Sequence, residues 1–514
     1  MHRHRRKIFI GIALAFVFLI WIKLATIGDD PKKEVEAYKK SLIAKGEKLE
    51  ISELIPPPVP PEQNGADIVS EALGMMTPDD YQESNLIPAM CLIAPGKAIA
   101  CFEQPDVRDR YFTNSWENES AIVADDGPMT ELLKQDVNYP TIDFHLDYKG
   151  NGGTDAQPLS PLRWSAKRLS AEAMCDLRRG NAASAETNIC AILALINGQQ
   201  DERRELFQII RIGMSSIAAD ATWASLESSN INDAELATVQ SSWERLEFIH
   251  AMENALLMQR AWFESEIAKI EASNDYFNKA MGSYVMTVDW SDGLREGFSD
   301  ILSNSKLACS RSMYRASWIY WDESKMLQNY QIVLETLRAV ETNRVFDPYY
   351  NDMAKRLKAN AADEPDDWLV NWDETGLHRS LSSYSSDPTL ISVTMGGEAT
   401  RRMAVTAIAL KRYELKHGKY PASLSDLIPE FVSSVPQDPV DGKPLRYRLT
   451  PNGNFLLYSI GENGKDDGGD GTVGATMGRN FPSDWDNRDA LDWVWPQPAT
   501  AAEIQDFYAH PAGP

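Results

Sequence analysis

The sequence contains few of the residues and motifs that usually identify an enzyme. It has seven histidines and five cysteines among 514 residues. No His-Glu-x-x-His sequence is present, which excludes a zinc hydrolase of that type. A Gly-x-Ser-x-Gly nucleophile motif and a Walker-type phosphate loop are absent as well, so the hydrolase and nucleotidase classes that carry them have no support. We therefore predict a protein that is not an enzyme.

Positive charge is also scarce. Lysine and arginine number 51 against 75 acidic residues, and the net charge is -24. Because phosphate binding requires a basic surface, we do not expect nucleic acid as a partner. The 43% of hydrophobic residues is typical of a folded protein. The length predicts two or three folded units.

Long apolar runs are missing except at the N-terminus. Residues 8–27 form an apolar stretch interrupted only by Lys23 and small or hydroxylated residues, and about 20 such residues are enough to span a membrane. Four basic residues within the first seven positions favour a cytoplasmic N-terminus. We expect residues 1–28 to hold the chain in the bacterial cytoplasmic (inner) membrane as a single-pass anchor, with the C-terminal body extracytoplasmic. A cleaved signal peptide is the alternative.

The rest of the chain divides into four predicted segments. Residues 29–65 are a charged stalk followed by a proline-rich linker, and residues 66–160 are an irregular region packed on the body. Apolar residues at helical spacing continue through residues 161–395, which predicts an α-helical scaffold domain. Within it, "AEAMCDLRRGNAASAETNICAILAL" resembles one helix-turn-helix unit of the tetratricopeptide repeats. Residues 396–514 change in character and form the last segment.

The C-terminal segment has the pattern of a small α+β module. A helix is expected from Glu398 to Gly418, and a capping box at Ser423–Asp426 predicts a short helix that continues through Val432. Two alternating runs, "LRYRLT" and "NFLLYSIG", flank Pro-Asn-Gly and predict a β-hairpin. The run "DWVWP" is expected to complete a small antiparallel sheet.

Four blocks in this segment resemble, in order, the C-terminal domain of the major pseudopilin of type II secretion systems. They are "ALKRYELKHGKYPASLSDL", "VPQDPVDGKPLRYRL", "YSIGENGKDDGGDG" and "ALDW", within residues 402–496. The resemblance implies a pseudopilin-like module with a three-stranded sheet, in which calcium stabilises the loop after the second strand. It also implies that Asp492, at the start of the third strand, closes the calcium site.

The loop itself is rich in oxygen ligands. Calcium takes six to eight oxygens from carboxylates and carbonyls on a chain that bends sharply. Glycines permit the bends, although surface turns are also made of Asp and Gly. The predicted metal ligands are Asn463, Asp466, Asp467, Asp470 and Asp492.

Two functions remain open at this point. The first is a membrane-anchored extracytoplasmic scaffold or interaction protein with a calcium-stabilised C-terminal module, associated with secretion or envelope machinery through an unknown partner. The alternative is an envelope hydrolase acting on glycan or peptide through paired carboxylates. The candidate pairs are Asp363/Glu364, Asp366/Asp367 and Asp373/Glu374. An extracytoplasmic location would also permit a disulfide between Cys91 and Cys101.

Overall fold

The computed structural model is mostly helical, with a small antiparallel sheet near the C-terminus. This confirms the predicted fold class at that level of detail. The structure describes residues 31–77, 86–105, 107–108, 113–149, 159–273, 275–277, 319–362, 389–472 and 491–509. The helices are α1 Pro31–Ala44, α2 Ala66–Gly74, α3 Trp116–Gln135, α4 Leu159–Arg178, α5 Ala182–Gly198, α6 Glu205–Glu227, α7 Asp233–Glu244, α8 Ile249–Ala272, α9 Ile319–Asn343, α10 Asp347–Ala362, α11 Thr389–His417 and α12 Ala501–Ala509. The strands are β1 Met90–Ala94, β2 Lys97–Ala100, β3 Val107–Arg108, β4 Thr113–Asn114, β5 Arg446–Leu449, β6 Phe455–Ser459, β7 Trp493–Trp495 and β8 Gln497–Pro498.

The predicted membrane anchor, residues 8–27, lies outside the described residues. Among the helices that the structure does describe, none is both long enough and apolar enough to cross a membrane.

The chain forms two compact units, each assembled from three separate stretches. Unit 1 comprises residues 1–50, 263–329 and 360–385, and unit 2 comprises the remaining stretches, 51–262, 330–359 and 386–514. The five segments predicted from the sequence are consecutive, so their boundaries do not coincide with this division. The C-terminal module and most of the helical body belong to the same unit.

Unit 1 contains the segment that was predicted to be a charged stalk. It is helical as expected, as α1, but it buries Val35 and Leu42. Lys39 forms ion pairs with Glu264, at 2.6 Å, and with Glu323. These contacts show that the segment packs within its unit instead of standing free in solvent.

The helical core of unit 2 lies between α4, α5, α6, α7 and α11. The predicted hairpin of α4 and α5 is confirmed: Gly180 takes a positive φ of 76° at the turn, and Asn181 accepts a hydrogen bond from the Ser184 N–H of α5. Trp223 and Trp243 are buried. The Trp243 indole donates to the hydroxyl of Thr222 at 3.1 Å, so the polar edge of this large ring is satisfied inside the core.

The region predicted to be irregular, residues 66–160, contains regular structure. Its main element is the 20-residue helix α3, which begins at the N-cap Ser115 and buries Trp116 and Leu133. Gly127 and Pro128 lie inside this helix. Because proline lacks an N–H and usually ends a helix, the pair conceals the pattern in the sequence. The prediction of an irregular region is therefore wrong.

Helix α11 begins at Thr389, nine residues before the start predicted at Glu398. The first two turns are buried, and Gly397 lies inside the helix. A Cβ atom at Gly397 would come within 3.0 Å of the Ile212 side chain on α6. The glycine therefore serves close helix packing and does not mark a boundary.

The predicted short helix after Ser423 is also shorter than expected. The capping box between Ser423 and Asp426 is present, but it starts a 3-10 helix over Leu424–Leu427. Pro429 follows two residues after Leu427 and has no N–H to continue the helix.

The C-terminal sheet has the predicted order and direction. Strand β6 pairs antiparallel with β5, placing Leu457 opposite Tyr447, and antiparallel with β7, placing Tyr458 opposite Val494. The chain then continues into β8, which pairs parallel with β2. The C-terminal sheet and the β1–β2 hairpin are consequently joined by one short stretch of chain.

None of the four described cysteines is in a disulfide. Cys91 lies opposite Ile99 in the β1–β2 hairpin, and Cys101 begins the 3-10 helix that follows β2. The bridge that the sequence would permit between them is not formed. Cys175 and Cys190 are buried in α4 and α5, as expected for small apolar side chains.

Candidate metal-binding loop

The acidic loop, defined here as residues 461–472, follows directly after β6. It rests on a small apolar cluster of Leu456, Tyr458 and Val494. Gly469 has a φ of 83°, and a Cβ atom there would lie 2.6 Å from Leu456 Cδ2. Glycine is thus required at this position both for backbone conformation and for space. The close approach of the loop to the sheet therefore explains the glycine at position 469.

Asp492 connects the acidic loop to the third strand of the sheet. Its carboxylate is fully buried and accepts the Gly469 N–H at 2.7 Å and the Asp467 N–H at 3.3 Å. Its own N–H donates to the Asp470 carbonyl at 2.9 Å. Burial raises the pKa of Asp492, and the two backbone N–H groups oppose that rise. Asp492 therefore ties the acidic loop to the start of β7 through hydrogen bonds, and its role as a calcium ligand stays a prediction.

Asp466 lies on the exposed side of the acidic loop and is held at both oxygens. Its Oδ1 accepts the Tyr458 hydroxyl at 2.9 Å and the Gly468 N–H at 3.1 Å. Its Oδ2 lies 3.5 Å from Arg446 Nε. The hydrogen bond from Tyr458 is the main reason that the pKa of Asp466 is lowered. The carboxylate is therefore kept ionised.

The other predicted ligands form local turns within the loop. Asn463 accepts the Lys465 N–H at 2.8 Å through Oδ1 and donates to Asp467 Oδ2 at 2.8 Å through Nδ2. Asp470 accepts the Thr472 N–H at 2.9 Å, and hydrogen bonding to Thr472 lowers the pKa of Asp470. Asn and Asp side chains commonly bond the backbone two residues ahead in this way.

The structure brings the five predicted ligands into one region but does not converge their oxygens. Among the described residues, no three carboxylates of the acidic loop and Asp492 place ligand atoms within 4.8 Å of one another. The donor type suits calcium, which prefers carboxylate and carbonyl oxygens. Their present arrangement does not fit a coordination cage, because Asp492, Asp466 and Asn463 already accept hydrogen bonds from the loop. Calcium binding stays a prediction.

A buried charge network that we did not predict from the sequence lies next to the acidic loop. Asp438 is fully buried and accepts the Ile460 N–H at 3.0 Å, the Ser459 hydroxyl at 2.8 Å and Arg446 Nη1 at 3.1 Å. Arg446 also forms a two-point contact with Asp441, at 3.0 and 2.7 Å. Burial opposes ionisation of Asp441, but hydrogen bonds from Arg446 and from the Lys443 N–H lower its pKa to about 2.

This network holds Ile460, the residue between β6 and the acidic loop, through the hydrogen bond from its N–H to Asp438. Its acidic members, Asp438 and Asp441, come from "QDPVDGKP", a stretch whose proline, glycine and aspartate residues are typical of turns. The one available signal was the arginine in β5, whose planar guanidinium is suited to bind several carboxylates at once.

The acidic pairs of the hydrolase hypothesis, within residues 363–374, lie outside the described residues. The described residues therefore do not test the hydrolase alternative.

The likeness of residues 402–496 to a pseudopilin is consistent with one helix followed by a three-stranded antiparallel sheet, an arrangement that many small domains share. It is not supported by any independent match. No protein-family model and no curated protein matches the sequence, and no solved structure matches the fold.

Proposed function

We propose that the protein is an interaction scaffold of the bacterial envelope, anchored in the cytoplasmic membrane through residues 8–27. In this proposal the helical body is the support, and the acidic loop is the element that binds a protein partner with a basic surface. Association with secretion machinery follows from the pseudopilin-like pattern of the C-terminal segment.

One observation carries this proposal: an exposed acidic loop is held in a single shape by buried groups. Asp466, Asp467 and Asp470 are exposed, whereas the groups that hold the loop, Asp492 and Asp438, are fully buried. Binding a partner to an ordered loop costs less conformational entropy than binding to a mobile one. Loops on a rigid support are also the usual place for recognition, and complementary charge favours a basic partner.

Crosslinking in intact cells tests the scaffold role. A photoreactive amino acid replaces Lys465, an exposed residue of the acidic loop. We expect a discrete crosslinked product with one partner, because the partner covers this loop. The matched control carries the same photoreactive residue at Asp125, an exposed position on α3, and we expect no such product from it.

The charge of the loop provides the second arm of that experiment. The double substitution Asp466→Asn and Asp467→Asn should remove the product, since it removes the attraction to a basic surface. If no product forms from position 465, or if the product is unaffected by this double substitution, the loop is not the binding element.

Calcium is proposed to stabilise the loop, and thermal unfolding of the full-length protein tests this separately. A ligand that binds only the folded protein adds about 2.7 kcal/mol of stability at 100 times its Kd. We therefore expect the melting midpoint to rise with calcium concentration and to fall when a chelator is added. The rise should disappear in Asp470→Asn and persist in the matched control Asp125→Asn. An unchanged midpoint over millimolar calcium would rule out the metal and leave the scaffold proposal standing.

A further inference from the structure

A histidine and two glutamates of unit 2 meet on neighbouring helices. His250 and Glu253 are three residues apart on α8, so they share one face of that helix. Glu341 comes from α9. The His250 Nδ1 atom lies 3.9 Å from Glu253 Oε2 and 3.8 Å from Glu341 Oε1. All three ligand atoms lie within 4.8 Å of one another.

Neighbouring groups hold two of these residues in place. Arg338 Nε donates to Glu253 Oε1 at 2.6 Å, which directs the other oxygen, Oε2, toward His250. Glu253 itself is buried, with 8% of its surface exposed. Glu247 accepts the His250 N–H at 2.9 Å and the Ala251 N–H at 3.0 Å, and so fixes the first turn of α8. The hydrogen bond from Arg338 to Glu253 is of the kind that orients a ligating carboxylate in metal sites.

We propose that His250, Glu253 and Glu341 bind a divalent transition-metal ion of the zinc type and thereby connect α8 to α9. Zinc takes imidazole and carboxylate ligands at about 2.0 to 2.2 Å, so that ligand atoms of a tetrahedral site are about 3.4 Å apart. The two separations from His250, 3.8 and 3.9 Å, need to close by only about 0.5 Å. The separation between the two carboxylate ligand atoms is at most 4.8 Å. Three protein ligands leave the fourth position open to solvent.

Exposure and charge both suit this assignment. The side chain of His250 is 56% exposed and that of Glu341 is 37% exposed, so both can adjust and an ion can enter from solvent. With a neutral imidazole, the two carboxylates and Arg338 leave one net negative charge at the site. The competing explanation is a plain ion-pair cluster in which a protonated His250 sits between the two carboxylates, with no metal.

Zinc titration of the full-length protein, prepared without a polyhistidine tag, separates these explanations. We expect one zinc ion per chain at this site, measured with a competing chromophoric chelator. Cobalt substituted for zinc should give visible absorption bands. Affinity should fall at least about tenfold in His250→Ala and in Glu341→Gln, because each change removes a direct ligand.

The matched controls remove a histidine or a glutamate elsewhere. His417→Ala and Glu414→Gln lie on α11, outside the cluster, and should bind zinc like the unaltered protein. Circular dichroism of all four variants confirms that they are folded, and Glu341→Gln keeps the shape of the side chain if His250→Ala does not fold. If folded Glu341→Gln binds zinc as tightly as the unaltered protein does, the cluster is an ion-pair cluster only. The same conclusion follows if the unaltered protein binds no zinc at a zinc concentration of about 100 µM.

Discussion

Two buried carboxyl groups in unit 2 have similar burial and opposite surroundings. Glu398 in α11 is 3% exposed, and Asp136, in the 3-10 helix Asp136–Asn138 that follows α3, is fully buried. Arg401 contacts both oxygens of Glu398, at 2.6 and 2.8 Å, and Arg402 adds a third contact at 2.8 Å. No donor among the described residues reaches either oxygen of Asp136. The carboxyl group instead packs against Gly65, where a Cβ atom would lie 2.0 Å from Oδ1.

The pKa values diverge accordingly. Burial alone would raise the pKa of Glu398, but the two guanidinium groups lower it to about 2. Burial without any compensating group raises the pKa of Asp136 to about 7. The difference shows that burial does not fix the charge of a carboxyl group in this protein: the nearby donors do.

Asp492, at the acidic loop, lies between these extremes. It is as buried as Asp136, but two backbone N–H groups partly offset the cost. Glu398, Asp492 and Asp136 therefore form a series. All three are buried, and the number of hydrogen bonds that the carboxyl group accepts falls from three to two to none among the described residues.

The largest expected effect comes from removing the charge of Glu398. Glu398→Gln leaves Arg401 and Arg402 without their shared carboxylate in a region where α11 is packed. Breaking a buried ion pair on one side costs about 3 to 5 kcal/mol. We expect the free energy of unfolding in urea to fall by about that amount at neutral pH.

Glu414→Gln on the same helix is the control for that measurement. Glu414 pairs with Lys411 at 3.1 Å near the surface, and exposed pairs contribute about 1 kcal/mol or less. Equal losses for the two glutamine variants would contradict the view that buried donors set the role of Glu398.

The fold could be predicted from the sequence where local signals agree with one another. Helices α4, α5 and the hairpin of β5 and β6 were predicted because apolar spacing and turn residues agree locally. Helix α3 was missed because Gly127 and Pro128 act against its apolar spacing, and the start of α11 was misplaced because Gly397 packs on Ile212. In both cases tertiary packing overrides a local signal: the contact with Ile212 in α11, and the burial of Trp116 and Leu133 in α3.

The candidate site was predictable in composition and location but not in its connections. The acidic residues of the loop are adjacent in sequence, and Asp492 was singled out by resemblance alone. Arg446 and Asp438, which fix the base of the loop, are eight residues apart in a strand and a turn. Whether such residues meet is decided by strand register and burial, which short sequence patterns do not encode. The cluster of His250 with Glu341 has the same origin, in the packing of two helices.

A smaller effect, and one that depends on pH, is expected at Asp136. The folded protein keeps a proton on this carboxyl group up to a pKa of about 7, whereas in the unfolded chain it is lost near pH 4. Since the folded state binds more protons between these values, stability falls as pH rises from about 4 to 7. Asp136→Asn removes this loss. We expect the stability of the variant relative to the unaltered protein to increase by about 2.5 kcal/mol between pH 5 and pH 8.

Urea unfolding at both pH values measures this difference directly. Asp125→Asn, in an exposed part of α3, is the matched control and should show no such increase between pH 5 and pH 8, because its side chain is not buried. Other buried carboxyl groups such as Glu119, whose pKa burial raises to about 7, give the unaltered protein a background pH dependence. The informative quantity is therefore the difference between variant and unaltered protein at each pH. A difference that stays constant from pH 5 to pH 8 would mean that Asp136 is ionised in the folded state, and that a donor compensates its charge as the arginines do for Glu398.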